Sequence, residues 1–273
     1  MTQNNFGFVQ SEWVPPETLP DLSDAKVIGF DLETYDPKLK TTGPGWTSST
    51  GHIIGISVAV DGWKGYYPIR HENGFNWDRK RVLSWMKDLM KTDAIKVAHN
   101  AVYDLGWLHT EGIKVNGRII DTMIMAPLLN ENKFSYALNT VGKDMLNEYK
   151  NEAKLKEAAI EFGVDPKNEM YKLPAIFVGD YAERDADLTL RLYHHMKPLI
   201  EKDSLKTVFN LEMDLLPVIF EMTKKGVRVD VEQAQRHKKS FKNTEKKILS
   251  SILADTGLAV EIWAAESVAK VFD

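Results

Sequence analysis

The run Lys26-Val-Ile-Gly-Phe-Asp-Leu-Glu33 is apolar, β-prone and ends in acids, and that combination limits the fold more than any other stretch. In a strand, side chains two residues apart share a face, so Asp31 and Glu33 point one way while Leu32 packs the other way. Alone, an Asp-x-Glu describes a solvated strand end. Here the apolar run in front of it carries the pair towards the interior.

The elements around it define an α/β domain. Asp36 to Gly51 reads as a Gly/Pro/Ser/Thr loop, His52 to Val60 as a second strand closed by an Asp61-Gly62 turn, and Gly65 to Ile69 as a third. Val82, Leu83, Trp85, Met86, Leu89 and Met90 form a helical stripe within Asp78 to Lys91. Ala94 to His99 and Ile119 to Asp121 read as buried strands, each followed by a helix, with Asn100 able to cap the first and Thr122 opening the second. From there to Lys202 the pattern is mostly helical. Three early strands, then alternation, then helices predict a mixed sheet flanked by helices. Residues 1–24, with Pro15, Pro16 and Pro20, read as an arm outside the core.

After residue 204 the character changes. Leu205 to Met222 carries one long amphipathic helix that stops at Gly226. Val227-Arg-Val229 reads as a short strand, and Asp230 as the N-cap of a second long helix. That helix has a narrow apolar seam (Ala234, Phe241, Ile248, Ile252). From Met222 to Lys247 there are nine Lys/Arg against three Asp/Glu, so a projecting basic element is expected.

Two further element ends carry acids. In His99-Asn-Ala-Val-Tyr-Asp104, Asn100 and Asp104 share a helix face, although capping and the helix dipole explain both without chemistry. In Tyr181-Ala-Glu-Arg-Asp185, Tyr181 and Asp185 share a face, leaving Glu183, Arg184 and Asp187 to be solvated or ion-paired. Together, three element ends offer four carboxylates. In one apolar-walled cleft at ~4 Å and an effective dielectric of ~20, each pair would cost about 4 kcal/mol. Protonation or cations must relieve that, and oxygen-only ligands favour Mg²⁺ or Mn²⁺ over zinc.

Phe30-Asp-Leu-Glu-Thr34, His99-Asn-x-x-x-Asp104 and Tyr181-x-x-x-Asp185 resemble, in order, the three motifs of the DEDDy exonucleases, which have a ribonuclease H-like fold. The match is closest to the proofreading 3′–5′ exonuclease domain of family A DNA polymerases. Gly43-Pro-Gly-Trp46, Thr50 to Ser57, and Tyr67-Pro68 with His71 resemble its phage-type members. Asp121-Thr122, Ser135 and Leu138 are similar to the segment between the second and third motifs. Glu212, Pro217 and Glu221 to Asp230 resemble the opening of a polymerase.

This resemblance implies an arm at 1–24, an exonuclease domain at 25–203, and the helical start of a polymerase thumb at 204–273, with no palm, fingers or polymerase active site. It implies that Asp31, Glu33 and Asp185 hold one metal ion, that Asp31 bridges to a second, and that Asp104 holds the second largely through water. Tyr181, with Glu33, would orient the attacking water. Thr34, Asn100 and Tyr103 would touch the terminal nucleotides, Tyr103 by stacking on a base or simply as a core aromatic. Trp46 reads as a loop anchor before a stacking residue, and His99 as a strand-end residue. The implied substrate is a single-stranded 3′ end of DNA, and the implied partner is the remaining polymerase, in cis or as a split subunit. Two other classes remain: an idle DNA- or polymerase-binding module, and an RNA-directed DEDDy nuclease like ribonuclease D.

Composition excludes other chemistries. The 273 residues include no cysteine, which removes disulfide scaffolds, cysteine nucleophiles and thiolate metal sites, and fits a reducing cytosol. That means the host cytoplasm if the chain is phage-encoded. The most apolar uncharged stretch, Ile53 to Val60, is too short to span a bilayer, and the N-terminus lacks signal-peptide character. With 35 Lys+Arg against 39 Asp+Glu the net charge is −4, unusual for a polyanion binder unless divalent ions neutralise the acids.

Overall fold

The computed structural model describes residues 10–148 and 152–272. The elements follow in the order β1 (Val27–Tyr35), a one-turn α1 (Leu39–Thr42), β2 (His52–Val60), β3 (Trp63–Pro68), α2 (Arg79–Lys91), β4 (Ile95–Ala98), α3 (Ala101–Thr110), β5 (Ile119–Asp121), α4 (Thr122–Leu129), α5 (Leu138–Leu146), α6 (Ala153–Phe162), α7 (Gly179–Lys202), α8 (Lys206–Lys225), α9 (Val231–Thr256) and α10 (Ala265–Ala269). The stretch between β1 and β2, expected as plain loop, holds α1 and a 3₁₀ turn at Gly45–Thr47. Among the described residues no helix is long and apolar enough to cross a membrane.

The sheet is mixed, in the order β3-β2-β1-β4-β5. β1 lies at its centre, antiparallel to β2 and parallel to β4. Its alternation sets the layers. Ile28, Phe30 and Leu32 enter a core shared with Val82, Met86, Leu89 and Met90 of α2 and Leu105 and Leu108 of α3. Gly29, Asp31 and Glu33 therefore take the opposite face, against α7. At Gly29 the helix comes so close that a Cβ would sit 2.8 Å from the Ala186 carbonyl oxygen and 2.9 Å from Leu190 Cβ. Glycine at this crossing lets α7 lie on the acid-bearing face of β1.

A bulge follows at once. Glu33 pairs with Gly55 but Thr34 pairs with Ile53, so Ile54 is the extra residue. Its carbonyl accepts from the backbone N–H groups of Ile69 (2.9 Å) and Arg70 (3.0 Å).

The segment before β1 is not outside the core. Trp13 is buried, packs on Tyr66 and donates from Nε1 to Glu183 (2.9 Å). The Thr18 carbonyl accepts from Tyr67 Oη and the Pro20 carbonyl from Trp85 Nε1. A single aromatic among prolines has no periodicity to reveal it. The first nine residues of the expected arm lie outside the described residues.

His71 is buried between Tyr66 and the Leu173 carbonyl. That carbonyl can only accept, so Nδ1 carries the ring hydrogen (2.7 Å) and Nε2 accepts from Tyr66 Oη (2.7 Å). Burial pushes the imidazole down from 6.5 to about 4. The folded His71 is thus neutral down to about pH 4, while the unfolded chain takes up a proton from pH 6.5 downwards. His71 therefore costs nothing above that window and destabilises progressively as pH falls through it. Urea midpoints of wild type and His71→Gln at pH 7 and pH 4.5 should differ in their pH response by about 2–3 kcal/mol, the wild type losing more. The pairwise difference isolates His71 from the buried carboxyls of Asp104 and Asp121, which shift in the opposite sense.

The chain divides into two compact units, one ending at Lys224 and one beginning at Lys225. In the first, α8 buries Met213 and Leu216. In the second, Asp230 caps α9 by accepting from Gln233 N (2.9 Å), and α9 buries none of its residues. Val227-Arg-Val229 forms no strand, and Val227 and Val229 are exposed. β-branched residues favour an extended chain, but among the described residues these pair with no other strand, and an unpaired segment makes no ladder.

Candidate active site

Three carboxylates converge where α7 crosses β1. Asp31, Glu33 and Asp185 each offer an oxygen within 4.8 Å of the others, Glu33 and Asp185 being buried and Asp31 half-buried. The strand supplies the pair at i and i+2, and the first turns of α7 supply the third. Such a set is oxygen-only and anionic, which fits a hard divalent cation.

Tyr181 lies one turn before Asp185 on α7. Burial, then the charges of Glu33, Asp185 and Asp31, push its hydroxyl well above 10, so it acts as a neutral hydrogen-bonding group.

Asp104 lies outside the three-carboxylate group but is tied to the same strand. From the first turn of α3 it is buried and accepts from the Leu32 backbone N–H (3.2 Å). Burial, then the charge of Asp31, raises its carboxyl well above 3.8.

The start of α3 is held from outside. Asn100 occupies the N-cap position in a left-handed conformation (φ 69°) and its side chain caps nothing, contrary to the sequence expectation. Asp121, at the end of β5, does the capping. It accepts from Asn100 N (2.9 Å), Ala101 N (2.7 Å) and its own helix at Met123 N (2.8 Å). Released from capping, Asn100 is exposed and lines a cleft of about 470 Å³ with Glu33, Thr34, Trp46, Tyr103 and Tyr181. Glu33 and Tyr181 connect this cleft to the acidic centre.

Other expectations resolve as follows. His99 bonds to Thr122 Oγ1 (2.8 Å) and the Tyr136 carbonyl (2.9 Å), a strand-end role. Trp46 is buried against Phe220, with ring centroids 5.8 Å apart, and anchors its loop. Arg184 and Asp187 are ion-paired, Arg184 to Glu148 and Asp187 to Lys64 and Arg191. Glu183 is half-buried and hydrogen-bonded: it accepts from Trp13 Nε1 and Tyr66 N (3.0 Å), joining α7 to β3 and to the N-terminal segment. Sequence spacing missed Asp36 as well, which anchors Gly45 N (2.9 Å) and accepts from Tyr103 Oη (3.1 Å). The only local signal was a third acid shortly after the Asp-x-Glu pair.

A central strand ending in paired acids, crossed by a helix that adds another, defines a nuclease of the ribonuclease H-like class. The same fold is found in the POL domain of Pol1 from M. smegmatis in complex with DNA primer-template and dNTP (TM-score 0.65, 14% identity, 95% of this chain and 40% of that one). It also recurs in NrnC from Brucella melitensis bound to pGG (TM-score 0.56, 15% identity, 76% and 88%). A DNA-directed DNA polymerase of Pseudomonas phage M6 is 36% identical over 98% of this chain, which spans 42% of that relative's length. The 3′–5′ exonuclease family model matches residues 8–201. The chain belongs to this family, the 3′–5′ exonuclease domain of family A DNA polymerases, and is therefore a hydrolase.

Proposed function

We propose that this chain is the proofreading part of a longer DNA polymerase, and that it removes 5′-mononucleotides from single-stranded 3′ ends of DNA by two-metal-ion hydrolysis. The observation that carries the reading is the meeting of Asp31, Glu33 and Asp185 within 4.8 Å beside a cleft lined by Tyr181, Asn100 and Tyr103.

Asp31, Glu33 and Asp185 would hold one Mg²⁺ or Mn²⁺, and Asp31 with Asp104 a second. When bound, such ions neutralise the clustered carboxylates and act as Lewis acids on the phosphate. The rest falls to the side chains. Tyr181 keeps its proton, and its Oη holds a water at the mouth of the acidic centre. Glu33 accepts a hydrogen from that water and so aims its lone pair at the terminal phosphorus. Thr34, Asn100 and Tyr103 seat the terminal nucleotide, the Tyr103 face stacking on a base. The basic face of α9 would contact the phosphate backbone. The rest of the polymerase, palm and fingers, would be the partner in cis or in trans, working in the host cytoplasm.

The test is shortening of a 5′-labelled DNA single strand, one nucleotide at a time, dependent on Mg²⁺ and stopped by a chelator. Asp31→Ala should abolish it. Full activity in that variant would remove the assigned centre.

A further inference from the structure

The first turns of α7 send their polar side chains to two flanks. A helix turns about 100° per residue, so Tyr181 and Asp185 lie about 40° apart while Glu183 stands about 160° from each. Glu183 thus sits on the flank away from the acidic centre, and Ala186 and Leu190, which meet the sheet, lie between the two flanks. There Glu183 Oε1 accepts from Trp13 Nε1 (2.9 Å) and from the Tyr66 backbone N–H of β3 (3.0 Å). Both donors belong to buried residues. One turn further along the same flank, Asp187 reaches Lys64 of β3 (3.7 Å).

Packing alone sets the roll of α7 weakly. Where the helix crosses the sheet it meets small groups, Ala186 lying against Gly29 and in one cluster with Ala59 and Leu190. Small residues permit close approach but make shallow ridges and grooves, which resist rotation poorly. Side-chain atoms stand about 5 Å from a helix axis, so a roll of about 20° would carry the Asp185 carboxylate about 2 Å from its place. A misplacement of about 1 Å can already cost about 100-fold in rate.

We infer that Glu183 is a positioning residue that fixes the roll of α7 and so holds Tyr181 and Asp185 in line with Asp31 and Glu33. The inference rests on the exonuclease reading above. Two donors, one on β3 and one on the N-terminal segment, converge on a single oxygen, and rolling the helix stretches both bonds. The task needs an acceptor at that place and no charge.

The experiment compares Glu183→Gln, which keeps an acceptor oxygen, with Glu183→Met, which fills a similar volume but accepts only weakly through sulfur. With a 5′-labelled DNA single strand, Glu183→Met should lower kcat about 10- to 100-fold and raise the Mg²⁺ concentration for half-maximal rate about fivefold or more. KM for the strand should stay within about twofold, because Thr34, Asn100 and Tyr103 belong to β1 and the start of α3. Glu183→Gln should remain within about threefold of wild type in all three quantities. Trp13→Phe removes one of the two donors and should lower kcat about three- to tenfold. A Glu183→Met protein that loses only melting temperature, with wild-type kcat and Mg²⁺ dependence, overturns the inference, as does Glu183→Gln impaired as deeply as Glu183→Met. If Glu183→Met fails to fold by circular dichroism, Trp13→Phe decides, and an unchanged kcat there overturns it. Wild type that releases no nucleotide in Mg²⁺ sinks the exonuclease reading itself, and this inference with it.

Discussion

Asp185→Ala should cut Mg²⁺-dependent trimming of a DNA 3′ end by about 10³-fold or more, yet leave the melting temperature of the metal-free protein unchanged or raised. The two effects separate because Asp185 is buried within 4.8 Å of Asp31 and Glu33 oxygens. Without a cation, removing one of three crowded carboxylates relieves repulsion and desolvation, which offsets the lost packing. With Mg²⁺ at about 100 times its Kd, wild type should gain about 2.7 kcal/mol, a rise of about 5–10 °C in Tm, and the variant little of it. Thermal melts with and without Mg²⁺, beside the trimming assay, check both. A metal-free Tm that drops by several degrees would show that Asp185 is a structural residue first.

Gly55→Ala should have the largest effect on stability, about 3 kcal/mol. A Cβ there would lie 2.0 Å from Tyr66 Oη and 2.2 Å from its Cζ. Tyr66 is fully buried and bonded to His71, so the ring cannot swing aside without losing that partner. Gly55 also pairs with Glu33 across β1 and β2. Displacement of the ring should therefore reach the acidic centre and lower activity even under conditions where the variant stays folded. Urea unfolding of Gly55→Ala, and of Gly55→Ala/Tyr66→Leu, provides the measurement. The double variant should cost clearly less than the sum of the singles, because the clash and the ring are one problem. Additive costs would rule out the collision as the cause.

What could be read from the sequence follows from short-range periodicity. β2 has the predicted bounds, His52 and Val60, because an unbroken apolar run between turn residues leaves little choice. Asp31 and Glu33 share a face because two residues is the strand period, and Tyr181 and Asp185 share one because four residues is close to a helical turn. Long-range partnerships could not be read. Glu183 looks like any exposed acid at the start of a helix until Trp13, 170 positions away, donates to it. Asn100 looks like a cap until Asp121, from another strand, takes that task. Val227 and Val229 look like strand residues, yet among the described residues they pair with no other strand. In each case the local pattern was sound, and the deciding partner lay elsewhere in the chain.

The bulge opposite Glu33 and Thr34 divides β1 into two segments that can vary separately. Upstream, strict alternation ties Asp31 and Glu33 to α7, so almost any change there disturbs the acidic centre. Downstream, the extra residue Ile54 has already absorbed a shift of register, and Thr34, Tyr35 and Asp36 lead into a loop. Substitutions and length changes in that loop can be taken up at the bulge without rotating the acids out of line. The strand thus behaves as a fixed tool with an exchangeable jaw: selection, or an engineer, can change which 3′ ends are gripped while the cutting edge stays where it is.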